Sequence, residues 1–213
     1  MKEKVKMSNV EKRAFLCEVR TREDEERGKI LEGVPIVFNQ MTDLGWCNEI
    51  IEPEALDKTD MKDVRFLVNH DTNSIPFARS RNNNKNSTMQ LSKEADGLHI
   101  KVNLDTENNP RAKELHSAVE RGDIDQMSFM FRVDGDKWED LESDHPTRHI
   151  TSISKIYEVS AVTFPAYEGT SINARSTDDG HASLESAREA LENARKLEEA
   201  RNNLKSKLKE IRS

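Results

Sequence analysis

The chain has 213 residues, of which 34% are hydrophobic and 34% charged, with a formal net charge of −7; this predicts one domain of ordinary size with polar extensions rather than a chain packed along its whole length. The acidic balance argues against a nucleic-acid binder, and no apolar run approaches the roughly 20 residues that span a bilayer. Two cysteines, Cys17 and Cys47, exclude a disulfide framework and form no zinc-type pair, and the charged N-terminal segment lacks the apolar stretch of a signal peptide, so a reducing cytoplasm is expected.

Residues 1–12 are polar and predict a flexible N-terminus. From 13 to 26 the pattern is mixed, with Phe15, Leu16 and Val19 beginning a strand that fades into a charged run. Residues 33–39 (GVPIVFN) read as a strand, 43–45 as a turn and 46–51 as a second strand, and Pro53 opens a short helix. Residues 64–68 (VRFLV) form a buried strand that runs straight into Asn69, His70 and Asp71. After a loop at 72–76 comes a short strand at 77–80, then an exposed loop at 81–87 with its asparagines. Residues 88–91 and 98–104 pair as a hairpin across Asp96 and Gly97. A helix is predicted over 109–121, where Ala112, Leu115 and Val119 recur at helical spacing between Pro110 and Gly122. Residues 126–133 (QMSFMFRV) alternate, with Met127, Phe129, Phe131 and Val133 on one face and Ser128, Met130 and Arg132 on the other. An acidic loop at 134–147 and one or two strands at 150–164 complete the pattern.

The fold expected is α+β and mostly β, with one or two flanking helices, over residues 13–175. Residues 176–183 (STDDGHAS) read as a linker. Residues 184–213 predict an amphipathic helix striped by Leu184, Leu191, Leu197, Leu204 and Leu208, longer than globular helices usually are and suited to pairing with another helix.

Three residues have the side chains of a serine hydrolase. Ser128 sits mid-strand on the face away from the large apolar side chains, which predicts a groove or solvent; a lone serine there is ordinarily a surface residue. His70 ends an apolar strand and enters a loop, where a rigid scaffold presents a side chain for chemistry. Glu158 precedes an apolar segment and otherwise reads as a surface carboxylate or a partner for Arg148 or Lys155. A serine hydroxyl needs a base to take its proton, histidine titrates where such a base must, and a carboxylate can fix the imidazole tautomer. Spacing alone does not establish that the three meet. Asp144, His145 and His149 are a weaker metal constellation, since Pro146 breaks a helix between them. Cys47 reads as a packed strand residue, His99 as structural, and His116 as lying on the exposed side of its helix.

Several blocks, taken in order, resemble the caudoviral prohead protease family, which is itself similar to herpesvirus assemblin. Residues 33–39 resemble its opening strand, and Glu49, Ile51, Pro53, Ala55 and Leu56 its E-x-I-x-P-G-A-F segment. The run at 68–71 (VNHD) resembles the strand ending in the catalytic histidine, Gly97 and Leu98 the hairpin, and 121–131 (RGDIDQMSFMF) the nucleophile strand. Residues 158–166 (EVSAVTFPA) resemble the closing E-V-S-x-V-T-x-P-A block. The resemblance implies an assemblin-like barrel and a serine endopeptidase of capsid maturation. Ser128 is then the nucleophile, His70 its base and Glu158 the third member, although assemblin has a second histidine there. Backbone N–H groups after Pro165 are the oxyanion-hole candidates by analogy. Met130 stands where the family usually has glycine, so the groove beside Ser128 differs. No metal or cofactor is implied. The implied partners are the major capsid protein with its scaffolding segment, the chain itself through self-cleavage, with the linker at 175–183 as the site, and a further copy in a homo-oligomer such as a dimer. The implied location is inside the prohead in the host cytoplasm. Two rival readings remain at this point: a catalytically silent capsid assembly or scaffolding protein, and a metal-dependent hydrolase using His70, Asp71 and the His145 region.

Overall fold

The structure, a computed structural model, describes residues 10–16, 19–24, 28–163 and 174–211. Its strands are β1 (Val10–Leu16), β2 (Val19–Asp24), β3 (Gly28–Val37), β4 (Thr42–Asp43), β5 (Asn48–Ile51), β6 (Asp63–Val68), β7 (Ala78–Arg81), β8 (Met89–Lys93), β9 (Gly97–Asn103), β10 (Gln126–Glu139) and β11 (Thr147–Val162). A 3₁₀ turn lies at Pro53–Leu56, and the helices are α1 (Pro110–Glu120) and α2 (Ala174–Ile211).

The strands form two sheets. The larger runs β1-β10-β11-β5-β4, and β6, which also pairs with β11, carries β7. The smaller runs β2-β3-β9-β8. Among the described residues the pairing closes neither sheet on itself, so the closed barrel implied by the assemblin resemblance is not formed by hydrogen bonding. The mostly-β expectation with two helices holds. Leu31, Ile36, Leu98 and Ile100 of the small sheet meet Phe66, Phe129, Phe131 and Ile153 of the large one in one core, and α1 seals it with Ala112, Leu115 and Val119. Helix α1 begins because Asn109 accepts backbone hydrogen bonds from Arg111 and Ala112 and Pro110, lacking an N–H, needs no acceptor. It ends at Gly122, whose φ of +78° suits glycine. His116 is buried on α1, correcting the exposed placement: it widens the face of Leu115 and Val119.

Three other boundaries differ from expectation. Residues 10–12 lie in β1 rather than in a flexible N-terminus, and residues 134–139 extend β10 rather than forming a loop. The segment read as a linker is helical from Ala174 onward. Its polarity has a local cause at the docked end of α2. Ser183 Oγ donates to Asp136 and accepts from Trp138 Nε1 at 3.0 Å, and His181 stacks 4.0 Å from Trp46. Gly180 fits closely there, since a Cβ would lie 3.0 Å from the Trp46 ring, tighter than ordinary contact. Leu184 is buried, whereas Leu197 and Leu204 are exposed.

One cluster of buried charges ties β1, β5, β10 and β11 together. Arg13 reaches Glu49 with Nε and Nη2 at 2.5 and 2.8 Å, and Nη2 also meets Glu11 at 2.5 Å. Arg148 donates to Glu11 at 3.0 Å, to Glu49 at 3.2 Å and to Asp136 at 2.7 Å. Burial works against both guanidinium charges, but Glu49 and Glu11 outweigh it and hold the two arginines above their ordinary range. Removing one member strands its buried partners. Arg148→Ala is therefore expected to lower stability by about 3–5 kcal/mol, read as the shift of the urea midpoint at unchanged slope.

Candidate active site

Strand β6 pairs in parallel with β11 over Glu158 to Ala161, and the next residue continues the ladder, Asn69 N–H donating to the Ala161 carbonyl at 2.9 Å. The chain then turns sharply. Asn69 and His70 have φ of 53° and 56°, a left-handed conformation that few side chains tolerate and that asparagine and histidine adopt more readily than most. Asn69 Oδ1 holds the turn by accepting from the Thr163 backbone at 3.0 Å. His70 N–H donates to Ser160 Oγ at 3.1 Å. Consecutive strain of this kind persists only where surrounding bonds enforce it, and it aims the imidazole across β11 at β10.

On those strands Ser128 and Ser160 face each other in register, and Met130 faces Glu158. His70 bridges the two strands, with Nε2 2.7 Å from Ser128 Oγ and Nδ1 2.5 Å from Glu158 Oε1. The three side chains singled out from the sequence thus form one hydrogen-bonded chain. A carboxylate at Nδ1 places the ring proton there and leaves Nε2 free to accept the serine proton. That arrangement can activate a hydroxyl for attack on a carbonyl.

Ser128 is buried rather than in solvent, which corrects part of the expectation. Alternation placed it correctly on the face opposite Met127 and Phe129, but that face is covered: Ala14 of β1 lies opposite it in register, and the Arg13 carbonyl oxygen, 2.6 Å from Oγ, is a second acceptor beside His70 Nε2 for its one proton. Met130 is likewise buried between Lys12 and Glu158 in the register.

Ser160 was missed as a site residue. Its hydroxyl donates to Glu158 Oε2 at 2.5 Å while accepting from the His70 backbone. The signal was available, since Glu158 and Ser160 share a strand face at period two. Ser160→Ala is expected to leave a buried carboxylate oxygen short of a donor, costing about 1–3 kcal/mol. It should also lower kcat about 10-fold at unchanged KM, since 1.36 kcal/mol of lost transition-state support is tenfold in rate. Steady-state kinetics beside a denaturation curve separate the two effects.

The remaining candidates stay apart. His145 Nε2 lies 3.2 Å from Asp43, and His149 Nδ1 lies 2.6 Å from Glu52, so the expected metal constellation does not gather. Asp71 is turned to its own loop, accepting from Ser74 Oγ and from the Asn73 backbone. Glu94, Asp96 and His99 converge on the surface of the β8–β9 hairpin, where the carboxylates are exposed. Cys47 is buried, and burial, aided by the nearby Glu49 charge, pushes its thiol up to about 12, the opposite of a reactive nucleophile. The backbone after Pro165, expected to supply an oxyanion hole, lies outside the described residues, as does Cys17.

The family model of caudovirus prohead serine proteases matches residues 17–183. The prohead protease of Enterobacteria phage HK97 is 29% identical over 167 residues, covering 76% of this chain and 67% of that protein. The capsid assembly protease of bacteriophage T4 aligns with 71% of this chain and 98% of its own at 10% identity and a TM-score of 0.37.

Proposed function

Because this chain belongs to the caudovirus prohead serine proteases, we propose that it carries out capsid maturation with Ser128 as nucleophile, His70 as general base and Glu158 as the group that orients the imidazole. The observation that carries the assignment is the His70 ring, within hydrogen-bond reach of Ser128 on one nitrogen and of Glu158 on the other. In the acylation step His70 Nε2 takes the Ser128 proton as Oγ attacks a peptide carbonyl, and then passes it to the leaving amine. In deacylation the same nitrogen takes a proton from water, and the serine is restored. Glu158 stays ionised throughout and compensates the transient imidazolium. None of these steps requires a metal.

The substrate is the scaffolding segment of the major capsid protein, reached inside the prohead. Cutting it is irreversible and gives assembly a direction, and confinement raises the effective concentration of enzyme and substrate together. Leu197 and Leu204 lie one heptad apart and exposed on α2, which supports pairing of this helix with a second copy. Self-cleavage within 175–183 is not favoured, because those residues lie in α2 and a helix must unwind before it can lie extended in a protease groove.

Co-expression with the capsid protein tests the assignment. The wild-type chain is expected to shorten the capsid protein, and Ser128→Ala to leave it whole. Equal capsid-protein masses in both samples overturn the proposal and leave a silent assembly role.

A further inference from the structure

The nucleophile of a protease must come beside the carbonyl it attacks, and in this structure the chain's own Arg13 carbonyl lies against Ser128, touching it through its oxygen, so that attack needs only a turn of this group to present its carbon. Among the described residues strand β1 is an edge strand of the large sheet and adds to β10 in antiparallel register, as an extended peptide adds to a sheet edge. Ala14 faces Ser128, and the Arg13 carbonyl oxygen lies 2.6 Å from Ser128 Oγ. The hydroxyl that His70 Nε2 meets at 2.7 Å is therefore already against a peptide carbonyl.

The Arg13 side chain fills a built pocket. Its guanidinium grips Glu49 through two nitrogens and lies 5.7 Å from the centre of the Phe131 ring. Glu49 belongs to β5 and is held from behind by Arg148, whose other carboxylate partner outside β1 is Asp136. If β1 leaves, Glu11 and Arg13 leave together. The pocket then keeps two carboxylates, Glu49 and Asp136, against the one guanidinium of Arg148. It is left with one uncompensated negative charge, which suits a cationic side chain.

We infer that Glu49 is the specificity determinant of this protease, selecting an arginine or lysine on the acyl side of the cut bond, and that β1 is bound as a substrate whose Arg13–Ala14 bond is cleaved in cis. The inference rests on Ser128 being the nucleophile. In the step, Ser128 Oγ forms an ester with the Arg13 carbonyl carbon while the bond to the Ala14 nitrogen breaks. The serine proton travels through His70 to that nitrogen, which departs as the amine of a new N-terminus. Water then hydrolyses the ester, leaving a carboxylate on Arg13 and restoring the Ser128 hydroxyl. Release of residues 1–13 opens the sheet edge and the Glu49 pocket to other chains.

The experiment uses the full chain as wild type, Ser128→Ala, Glu49→Gln and Arg13→Ala, each incubated with a peptide library whose arginines and lysines lie inside the peptides. The expected result is new C-termini that are arginine or lysine, made by the wild type and absent with Ser128→Ala. Intact-mass spectrometry is expected to find the wild-type chain trimmed to begin at Ala14, and Arg13→Ala untrimmed at that bond and, with β1 still over Ser128, slower on the library. Glu49→Gln is expected to cut after basic residues at least 10-fold more slowly, by the loss of a charge-assisted pair. Should Glu49→Gln or Arg13→Ala fail to fold, the trimmed mass of the wild type and its Ser128-dependent library profile decide. Cuts after non-basic residues, trimming of Arg13→Ala at the same bond, or a folded Glu49→Gln with unchanged preference overturns the inference. Capsid-protein processing without any Ser128-dependent cut in the library or in the chain also overturns it, yet leaves the proposed function standing. If the capsid protein is uncut as well, the proposed function fails and the inference with it.

Discussion

His70→Ala is expected to slow peptide-bond hydrolysis by about 10⁶-fold, and adding Ser128→Ala to it is expected to cost almost nothing further. The expectation follows from how the two side chains share one job. Ser128 Oγ becomes a competent nucleophile only while its proton moves to His70 Nε2, which lies 2.7 Å away. Remove either partner and that proton transfer is gone, so the second removal has nothing left to take. Independent contributions multiply instead, and a double variant as slow as the product of the two single effects contradicts the shared role. Single-turnover rates on the capsid protein read this without interference from product release. The comparison needs folded protein. His70 is held through its backbone by Ser160 and its neighbour Asn69 is tied to Thr163, so truncating the imidazole should leave the turn in place and the thermal midpoint within a few degrees.

What the sequence reveals of this site, and what it hides, follows from the range of the forces involved. The alternation of residues 126–133 is local, and it sorted Ser128 from Met127 and Phe129 correctly. It says nothing of what covers each face, so the burial of Ser128 beneath β1 was invisible. The start of β1, residues 10–12, reads as loose with the polar segment before it, and Glu11, Lys12 and Arg13 are all charged. Charges usually mark solvent, yet two of these are buried, neutralised by Glu49 and Arg148 from distant parts of the chain. No spacing rule flags such a cluster, since its members meet only after four separate strands pair. The 176–183 segment misled for a related reason: Ser183 is polar because it meets Asp136 and Trp138, and His181, although exposed, lies against Trp46. The triad was legible through an ordered resemblance, and the chemistry of its members fitted. That His70 lies between Ser128 and Glu158 depends on a parallel β6–β11 pairing that no local pattern encodes.

Glu158→Gln is the sharper test of the third member, with an expected loss of about 10⁴-fold in kcat. Glu158 is buried and accepts from His70 Nδ1 through one oxygen and from Ser160 Oγ through the other. As a carboxylate it has no proton to offer, so the Nδ1 position must carry the hydrogen and Nε2 must be the acceptor. An amide of the same shape has an NH₂ to donate. With Ser160 still donating to the amide oxygen, the NH₂ turns toward His70, Nδ1 becomes the acceptor, and the ring proton moves to Nε2. That proton then points at Ser128, and the imidazole can no longer take the serine's hydrogen. The bonds are kept in number while the base is lost, so stability should change far less than rate. A residue serving only to pack would behave oppositely, with the thermal midpoint falling and kcat per folded molecule holding. Nitrogen NMR of the His70 ring gives the direct readout, with the protonated nitrogen expected to switch from Nδ1 in the wild type to Nε2 in the variant. A variant that keeps the wild-type tautomer and rate removes Glu158 from the mechanism and leaves a dyad of Ser128 and His70.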